Sequence, residues 1–326
     1  MRPLIVLLVV VWLWSDTAAA VDPPITAVAF APDGRSVLFG SQRGIEIRSW
    51  PSGEPLAKLE TRLGHVHDLA FSPAGDRLLA AGGWPAETGV IERFGWPSDD
   101  PPTRIATADD VVYRVAWSPD GKHWATAGAD GICHVVDAAS GQMVTRYEGH
   151  SQAVLGIDFL DDGQLVVSVG VDQTVRLWEA LTGRSLRTLD NHVAGVNAIA
   201  VRRPRPGADQ AVTPTVIATI GDDRTVRMWQ PVIGRLVRFT RLPAVPRAVI
   251  WDSAGERLFV GCDDGHVRTL AYETLAVTMT IDGAIGRIFE IAITPSGDRI
   301  LIAGERGHCD IAIPDQRSAE GSGGDG

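Results

Sequence analysis

One four-residue turn recurs along this chain and limits what it can become. It reads Ala31-Pro32-Asp33-Gly34, Ser72-Pro73-Ala74-Gly75, Ser118-Pro119-Asp120-Gly121, Leu160-Asp161-Asp162-Gly163, Asp252-Ser253-Ala254-Gly255 and Thr294-Pro295-Ser296-Gly297. Successive glycines stand 41, 46, 42, 92 and 42 residues apart. The long interval is about two periods and holds the Pro- and Arg-rich stretch 202–214, so it hides one more unit and the count is seven. Each turn has hairpin chemistry. Pro sets φ at the second position, Asp or Ser bonds the local backbone, and Gly supplies the positive φ.

Short β-rich runs flank every turn. Ile25 to Phe30 precedes the first and Ser36 to Phe39 follows it; Val154 to Phe159 and Gln164 to Ser168 bracket the fourth; Arg287 to Thr294 and Arg299 to Ala303 bracket the last. No stretch after the first twenty residues shows a helical period. The reading is all-β, with strands of five to seven residues at regular spacing. A hydrophobic content of 45% is enough for a large core.

The formal charge is -10, from 30 Lys and Arg against 40 Asp and Glu. This balance argues against a nucleic-acid partner and against docking on an anionic membrane. At the N-terminus, Arg2 precedes an apolar run from Leu4 to Trp14, followed by Ala18, Ala19 and Ala20. As a helix the run rises only about 16 Å against a hydrocarbon core of about 30 Å. The pattern predicts a secretory signal over 1–20, cleaved before Val21, an exported periplasmic or extracellular product and no membrane insertion afterwards. Cys133, Cys262 and Cys309 are odd in number and fit no metal-knuckle spacing. They read as small apolar strand residues, and Cys262 could approach Cys309 only if neighbouring units bring them together.

The most informative unit runs from Gly149 to Asp190. It holds Gly149-His150, Ser168, Asp172 and Val175-Arg176-Leu177-Trp178-Glu179. This unit resembles a WD repeat, one four-stranded blade of a β-propeller. The resemblance implies a hydrogen-bonded chain from Asp through His and a hydroxyl to the Trp N–H. Here it would run through His150, Ser168, Asp172 and Trp178, and in the next unit through His192, Thr219, Asp223 and Trp229. The third unit keeps Thr126, Asp130 and Val136-Asp137 but lacks the His and Trp. The sixth keeps Asp264, with Leu270 in the Trp position. The second has Gly64-His65, but Gly82-Gly83-Trp84-Pro85-Ala86-Glu87 replaces its Asp-bearing turn.

The expected architecture is a seven-bladed β-propeller over 21–316, with blades at 25–61, 62–107, 108–148, 149–190, 191–242, 243–282 and 283–316. Outer strands are read at Glu54 to Leu59, Gln142 to Glu148, Arg184 to Leu189, Arg235 to Thr240 and Thr274 to Ile281. The seventh blade has no fourth-strand candidate, because the chain passes into a Gly-Ser tail, read as disordered over 317–326. Its edge, near Cys309 to Ile313, is expected to be open. Val21-Asp22-Pro23-Pro24 makes a poor closing strand.

No Gly-x-Ser-x-Gly elbow, His-Glu-x-x-His site or phosphate loop is present. His65 and His67 could offer two imidazoles to a metal, but in the blade reading His65 fits the structural His position and His67 lies at the channel mouth, so no metal, cofactor or catalysis is expected. The resemblance implies instead a rigid scaffold, monomeric alone, that binds a protein or peptide on the face ringing the channel. That face would carry His67, Val111, Tyr113, Leu155, Asn197, Asp222, Arg247, Asp263, Arg287 and Phe289. The alternative is an exported propeller hydrolase or lactonase using channel-facing polar groups. Arg202-Arg203-Pro204-Arg205-Pro206 reads as a solvated loop able to meet an acidic partner.

Overall fold

The structure, a computed structural model, describes residues 22–97, 100–160, 162–203 and 215–313. The expected signal at 1–20, the tail at 317–326 and the hidden fifth turn within 204–214 lie outside the described residues. The chain forms seven antiparallel sheets, six of four strands and one of three, each in sequence order. One 3-10 turn, Pro231–Ile233, is the helical element among the described residues. It is a seven-bladed β-propeller.

The innermost strands are Ala27–Phe30, Val66–Phe71, Val112–Trp117, Val154–Phe159, Val196–Val201, Pro246–Trp251 and Ile288–Ile293. Each neighbours the next around the ring, and the first meets the seventh. Second strands follow at Ser36–Ser41, Arg77–Trp84, His123–Gly128, Leu165–Gly170, Ile217–Gly221, Arg257–Cys262 and Arg299–Gly304. Third strands are Gly44–Ser49, Thr88–Gly95, Cys133–Asp137, Val175–Glu179, Thr225–Gln230, His266–Ala271 and Gly307–Ala312. Outer strands are Pro55–Leu59, Thr103–Ala108, Met143–Tyr147, Ser185–Leu189, Arg235–Arg241 and Val277–Asp282. The five outer strands read from the sequence differ by a few terminal residues, and Thr103–Ala108 of blade 2 was not among them. The main departure is in blade 2, where Gly82, Gly83 and Trp84 extend the second strand instead of forming a loop.

Second strands are buried along nearly their whole length because both sheet faces are covered. Ala80 and Leu79, successive residues of one strand, illustrate this. Ala80 packs toward blade 1 with Leu38 and Val66, while Leu79 packs toward blade 3 with Val115 and Trp124. Seven apolar clusters result, one at each interface between neighbouring blades. The recurring turns also pack on one another. Gly34 faces Pro295, Gly121 faces Pro73 and Gly163 faces Pro119, the last glycine being 3.5 Å from its proline when a Cβ is placed on it. In each described turn the Gly N–H closes on the residue three earlier, at 2.8–2.9 Å, with φ between 65° and 75°. Two tryptophans at inner-strand ends tie blades together. The Trp117 indole N–H donates to Ala70 O, and that of Trp251 donates to Ala200 O, both at 3.1 Å.

The seventh blade pairs Ile288–Ile293, Arg299–Gly304 and Gly307–Ala312, and no fourth strand joins it among the described residues. Cys309 and Ile311 on its last strand still pack against the blade 6 side. No disulfide forms; Cys133 and Cys262 are buried and Cys309 is half-buried. Burial pushes the Cys133 thiol up to about 12 and the Cys262 thiol up to about 11, so both stay protonated and unreactive. An open edge predicts fast hydrogen exchange. Alternate amides of Gly307–Ala312 should exchange well before those of Val175–Glu179, whose two neighbours protect it. Equal protection in the two strands would show that the edge is covered.

Candidate functional site

Two sets of polar residues organise the propeller: one inside blades 4 and 5, the other around the channel. In blade 4 the His150 ring Nδ1 lies 3.0 Å from both Asp172 oxygens, and Nε2 lies 2.8 Å from Ser168 Oγ. The Trp178 indole N–H donates to the same Oγ at 3.2 Å. The Ser168 hydroxyl accepts from Trp178, so its single proton goes to Nε2, and His150 carries its own proton on Nδ1 toward Asp172. Blade 5 repeats the arrangement. His192 Nδ1 lies 2.9 Å from Asp223, Nε2 lies 2.8 Å from Thr219 Oγ1, and Trp229 donates to that oxygen at 2.9 Å. Neither pattern had suggested the extension through Thr174 and Thr225. Their hydroxyls donate to the two aspartates and accept from Arg176 and Arg227.

Blades 2 and 3 lack the complete chain. In blade 3, Trp124 sits on the second strand, and among the described residues its Nε1 has no partner, nor do Asp130 Oδ2 and His134 Nδ1. In blade 2, His65 Nε2 lies 3.1 Å from Thr26 Oγ1, which donates its own proton to Val66 O at 2.6 Å. His65 therefore donates through Nε2, and its Nδ1 is an acceptor without a partner among the described residues.

The channel mouth is built by a repeated backbone device. Every inner strand from blade 2 to blade 7 carries a β-bulge at its second residue. The bulged residues are His67, Tyr113, Leu155, Asn197, Arg247 and Phe289. A bulge leaves one residue unpaired and re-aims it, here while the residue before it stays in the core. These six side chains are half-buried. Asp222 and Arg287 are exposed, and Asp263 is half-buried. Val111 does not belong with them. It is buried, and its carbonyl accepts from Ala129 N, so the expectation that its side chain faces a partner is corrected.

On blades 5 to 7 the polar members form one chain. Asn197 donates to Asp222 at 2.9 Å, Arg247 bridges Asp222 and Asp263 at 2.9 Å each, and Arg287 reaches Asp263 at 3.2 Å. On blades 2 and 3 the members are aromatic. His65 and His67 stack at 4.4 Å, and Tyr113 meets His67 edge-on at 5.3 Å. Below the mouth, Arg114 crosses the channel to Glu290 and lies 3.4 Å from Asp68. Burial opposes the Arg114 cation, but the two carboxylates outweigh it and raise its pKa. The sequence reading missed this trio. Its signal was an Arg, an Asp and a Glu on otherwise apolar inner strands.

The Arg-rich insertion is partly engaged with the ring. Arg202 lies 4.0 Å over the Tyr272 ring and bonds Gly255 O, while Arg203 pairs with Asp158 at 2.8 Å. Arg205 lies outside the described residues. Among the described residues no group of three or more His, Cys, Asp or Glu is placed to hold a metal ion, and no helix is long and apolar enough to cross a membrane.

A family model described as WD domain, G-beta repeat matches residues 102–137, 141–179 and 183–230. Three adjacent repeats of this chain are WD repeats. Each matched repeat joins the outer strand of one blade to the first three strands of the next, so the repeat itself links neighbours. Matched relatives include eukaryotic translation initiation factor 3 subunit I of Pyricularia oryzae, 29% identical over 136 residues, 41% of this chain and 37% of the relative. Protein tipD of Dictyostelium discoideum is 26% identical over 188 residues, 56% of this chain and 29% of the relative. Pre-rRNA-processing protein IPI3 of Meyerozyma guilliermondii is 28% identical over 185 residues, 53% of this chain and 40% of the relative. The chain thus spans well under half the length of these relatives. WD-repeat propellers generally bind protein partners and are typically non-catalytic scaffolds; the comparisons lend the hydrolase alternative no support. They also correct the expectation of export. A translation initiation factor subunit and a pre-rRNA-processing protein are not exported proteins.

The WD-repeat polar chains set the pH response. Burial lowers the His150 and His192 pKa values, against the pull of Asp172 and Asp223. Burial, with His65 and Arg114, lowers that of His67 to about 4. Between that value and the unfolded value of 6.5 the unfolded chain binds more protons. The stability held by neutral histidines is therefore complete above 6.5 and falls as pH drops toward 4. A urea midpoint measured at stepwise pH should rise across this window, and His67→Gln should flatten the rise. Thr219→Val leaves His192 and Trp229 without their shared hydroxyl and should cost about 1–3 kcal/mol. Arg114→Met strands two carboxylates together and should cost roughly 2–4 kcal/mol, moderated because the channel admits water. Adding Glu290→Gln should recover part of that loss.

Proposed function

We propose that this WD-repeat propeller is a protein-interaction scaffold whose partner-binding surface is the channel mouth. The ring of six bulged side chains carries the reading. Bulges hold His67, Tyr113, Leu155, Asn197, Arg247 and Phe289 around one opening, while Asp222, Asp263 and Arg287 extend the surface outward. Aromatic and Arg anchors beside paired charges suit a protein or peptide. A net charge of -10 disfavours nucleic acid. The Asp–His–hydroxyl–Trp chains of blades 4 and 5 act as scaffold, since every polar group in them is occupied by another. The proposed role has no catalytic step, and the relatives named as subunits of initiation factor 3 and of the anaphase-promoting complex support it.

The test is affinity capture from extract of the source organism. The bait is the full chain, compared with Tyr113→Ala, Arg287→Glu and Phe289→Ala combined. Arg287 is chosen over Arg247 because Arg247 holds two aspartates and its loss would disturb the ring. The variant should keep the parent's melting temperature within about 5 °C while losing the partner at least ten-fold, given that a few anchors carry most interface energy. A partner held equally by both proteins would move the binding surface to the open edge of blade 7.

A further inference from the structure

The second strand of blade 2 and its partner, Arg77–Trp84 and Thr88–Gly95, run eight residues each, against five or six for those strands in the other blades. The hairpin therefore projects beyond the mouth, with Trp84 at its end. The Trp84 indole lies flat on Gly64, where a Cβ would come within 2.7 Å of the ring, yet 49% of Trp84 remains exposed. Asp110 pins the tip, accepting from Ala86 N at 2.8 Å and Val111 N at 2.7 Å. Between this hairpin and the bulged residues lies a recess of about 480 Å³, lined by Gln42, His65, His67, Trp84, Pro85 and Tyr113 among others.

The lining has an unusual balance. It offers four aromatic rings, and two of them are imidazoles with unused acceptors. His65 Nδ1 has no partner, and neither nitrogen of His67 has one among the described residues. The low pKa of His67 keeps that acceptor unprotonated at neutral pH. Aromatic faces attract cations, and neutral imidazole nitrogens accept from N–H donors. Arg114 lies near enough to lower the His67 pKa, but its charge is offset by its pairing with Asp68 and Glu290. Asp110 contributes negative potential at Tyr113, whose pKa is raised by burial and by that carboxylate. A planar guanidinium fits these features better than a compact ammonium, because it stacks on flat rings while its edge donates in several directions.

We propose that this recess of blade 2 receives an arginine side chain of the protein partner. The inference rests on the scaffold reading and names one anchor of it.

The probe is acetyl-arginine methylamide, compared with its neutral isostere acetyl-citrulline methylamide, titrated into the full chain. NMR follows the His67 ring and the Trp84 indole N–H. The arginine compound should shift both signals saturably, and the citrulline compound should need about ten-fold more for the same shift. Trp84→Ala, at a half-exposed site, should weaken the His67 response about ten-fold, and His67→Gln should weaken the Trp84 response similarly. Equal responses to the two compounds, or an undiminished response in Trp84→Ala, would overturn the proposal. Two outcomes separate it from the scaffold reading. A captured partner that Trp84→Ala holds as tightly as the parent removes the arginine recess and leaves the scaffold. Arginine-selective binding without any captured partner leaves the recess and removes the scaffold.

Discussion

A small sheet with two apolar faces is stable only if both are covered, and that requirement shapes the whole molecule. Each blade covers one face of the blade before it and one of the blade after, so no blade can be last. The ring is the arrangement in which every face finds a partner. Seven apolar clusters, one per interface, are the material result. They are not equal. Among the described residues, the cluster between blades 5 and 6 holds fourteen buried residues, and that between blades 7 and 1 holds six. Closure therefore leans on Val28, Phe39, Leu301 and a few neighbours, with one backbone bond from Ile25 N to Gly304 O at 3.1 Å.

Hydrogen bonding inside the blades follows a matching gradient. In blades 4 and 5 every polar atom of the Asp–His–hydroxyl–Trp chain has a partner. A low-dielectric interior makes such a chain strong when complete and costly when broken. Blade 3 shows the cost, with Trp124, Asp130 and His134 each leaving an atom unpaired. Blade 2 shows another solution. Its turn aspartate is gone, and His65 turns to Thr26 of blade 1. The bond that elsewhere staples a blade to itself here staples two blades together, and the other edge of the imidazole is released.

The sequence was legible where structure is local. The Pro-Asp-Gly turns announced the period, the count and the strand class, because their chemistry lies within four residues. The tail after Ile313 announced a seventh blade without an outer strand candidate. Contacts across the ring were not legible. Arg114 and Glu290 are 176 residues apart and meet only because the ring brings blades 3 and 7 to one channel. The bulges were equally hidden. His67, Arg247 and Phe289 could be singled out by position, but the extra residue that turns them outward leaves no local signature. Trp84 was misread for a related reason. Two glycines before it looked like a loop, whereas they are strand residues whose missing side chains admit the backbone of His65 and Thr88. Export failed differently, since it rested on 1–20 alone.

The bulges explain how a fixed ring can present a varied surface. Val66, Val112, Val154, Val196 and Ile288 precede the bulged residues and are fully buried, anchoring each inner strand in the core. The next residue leaves the pairing pattern and contributes little to packing, so its identity is free of the core's demands. The same backbone geometry carries an imidazole in blade 2, a phenol in blade 3 and a guanidinium in blade 6. The two sides of the mouth have diverged accordingly. Blades 5 to 7 satisfy their charges among themselves through Asp222, Arg247 and Asp263, which stiffens that arc and leaves it few unspent hydrogen bonds. Blades 2 and 3 keep aromatic faces and unpaired acceptors around an open recess. On the proposed scaffold reading, a partner meeting this face would find one arc already bonded to itself and, beside it, an arc of blades 2 and 3 with acceptors to spare.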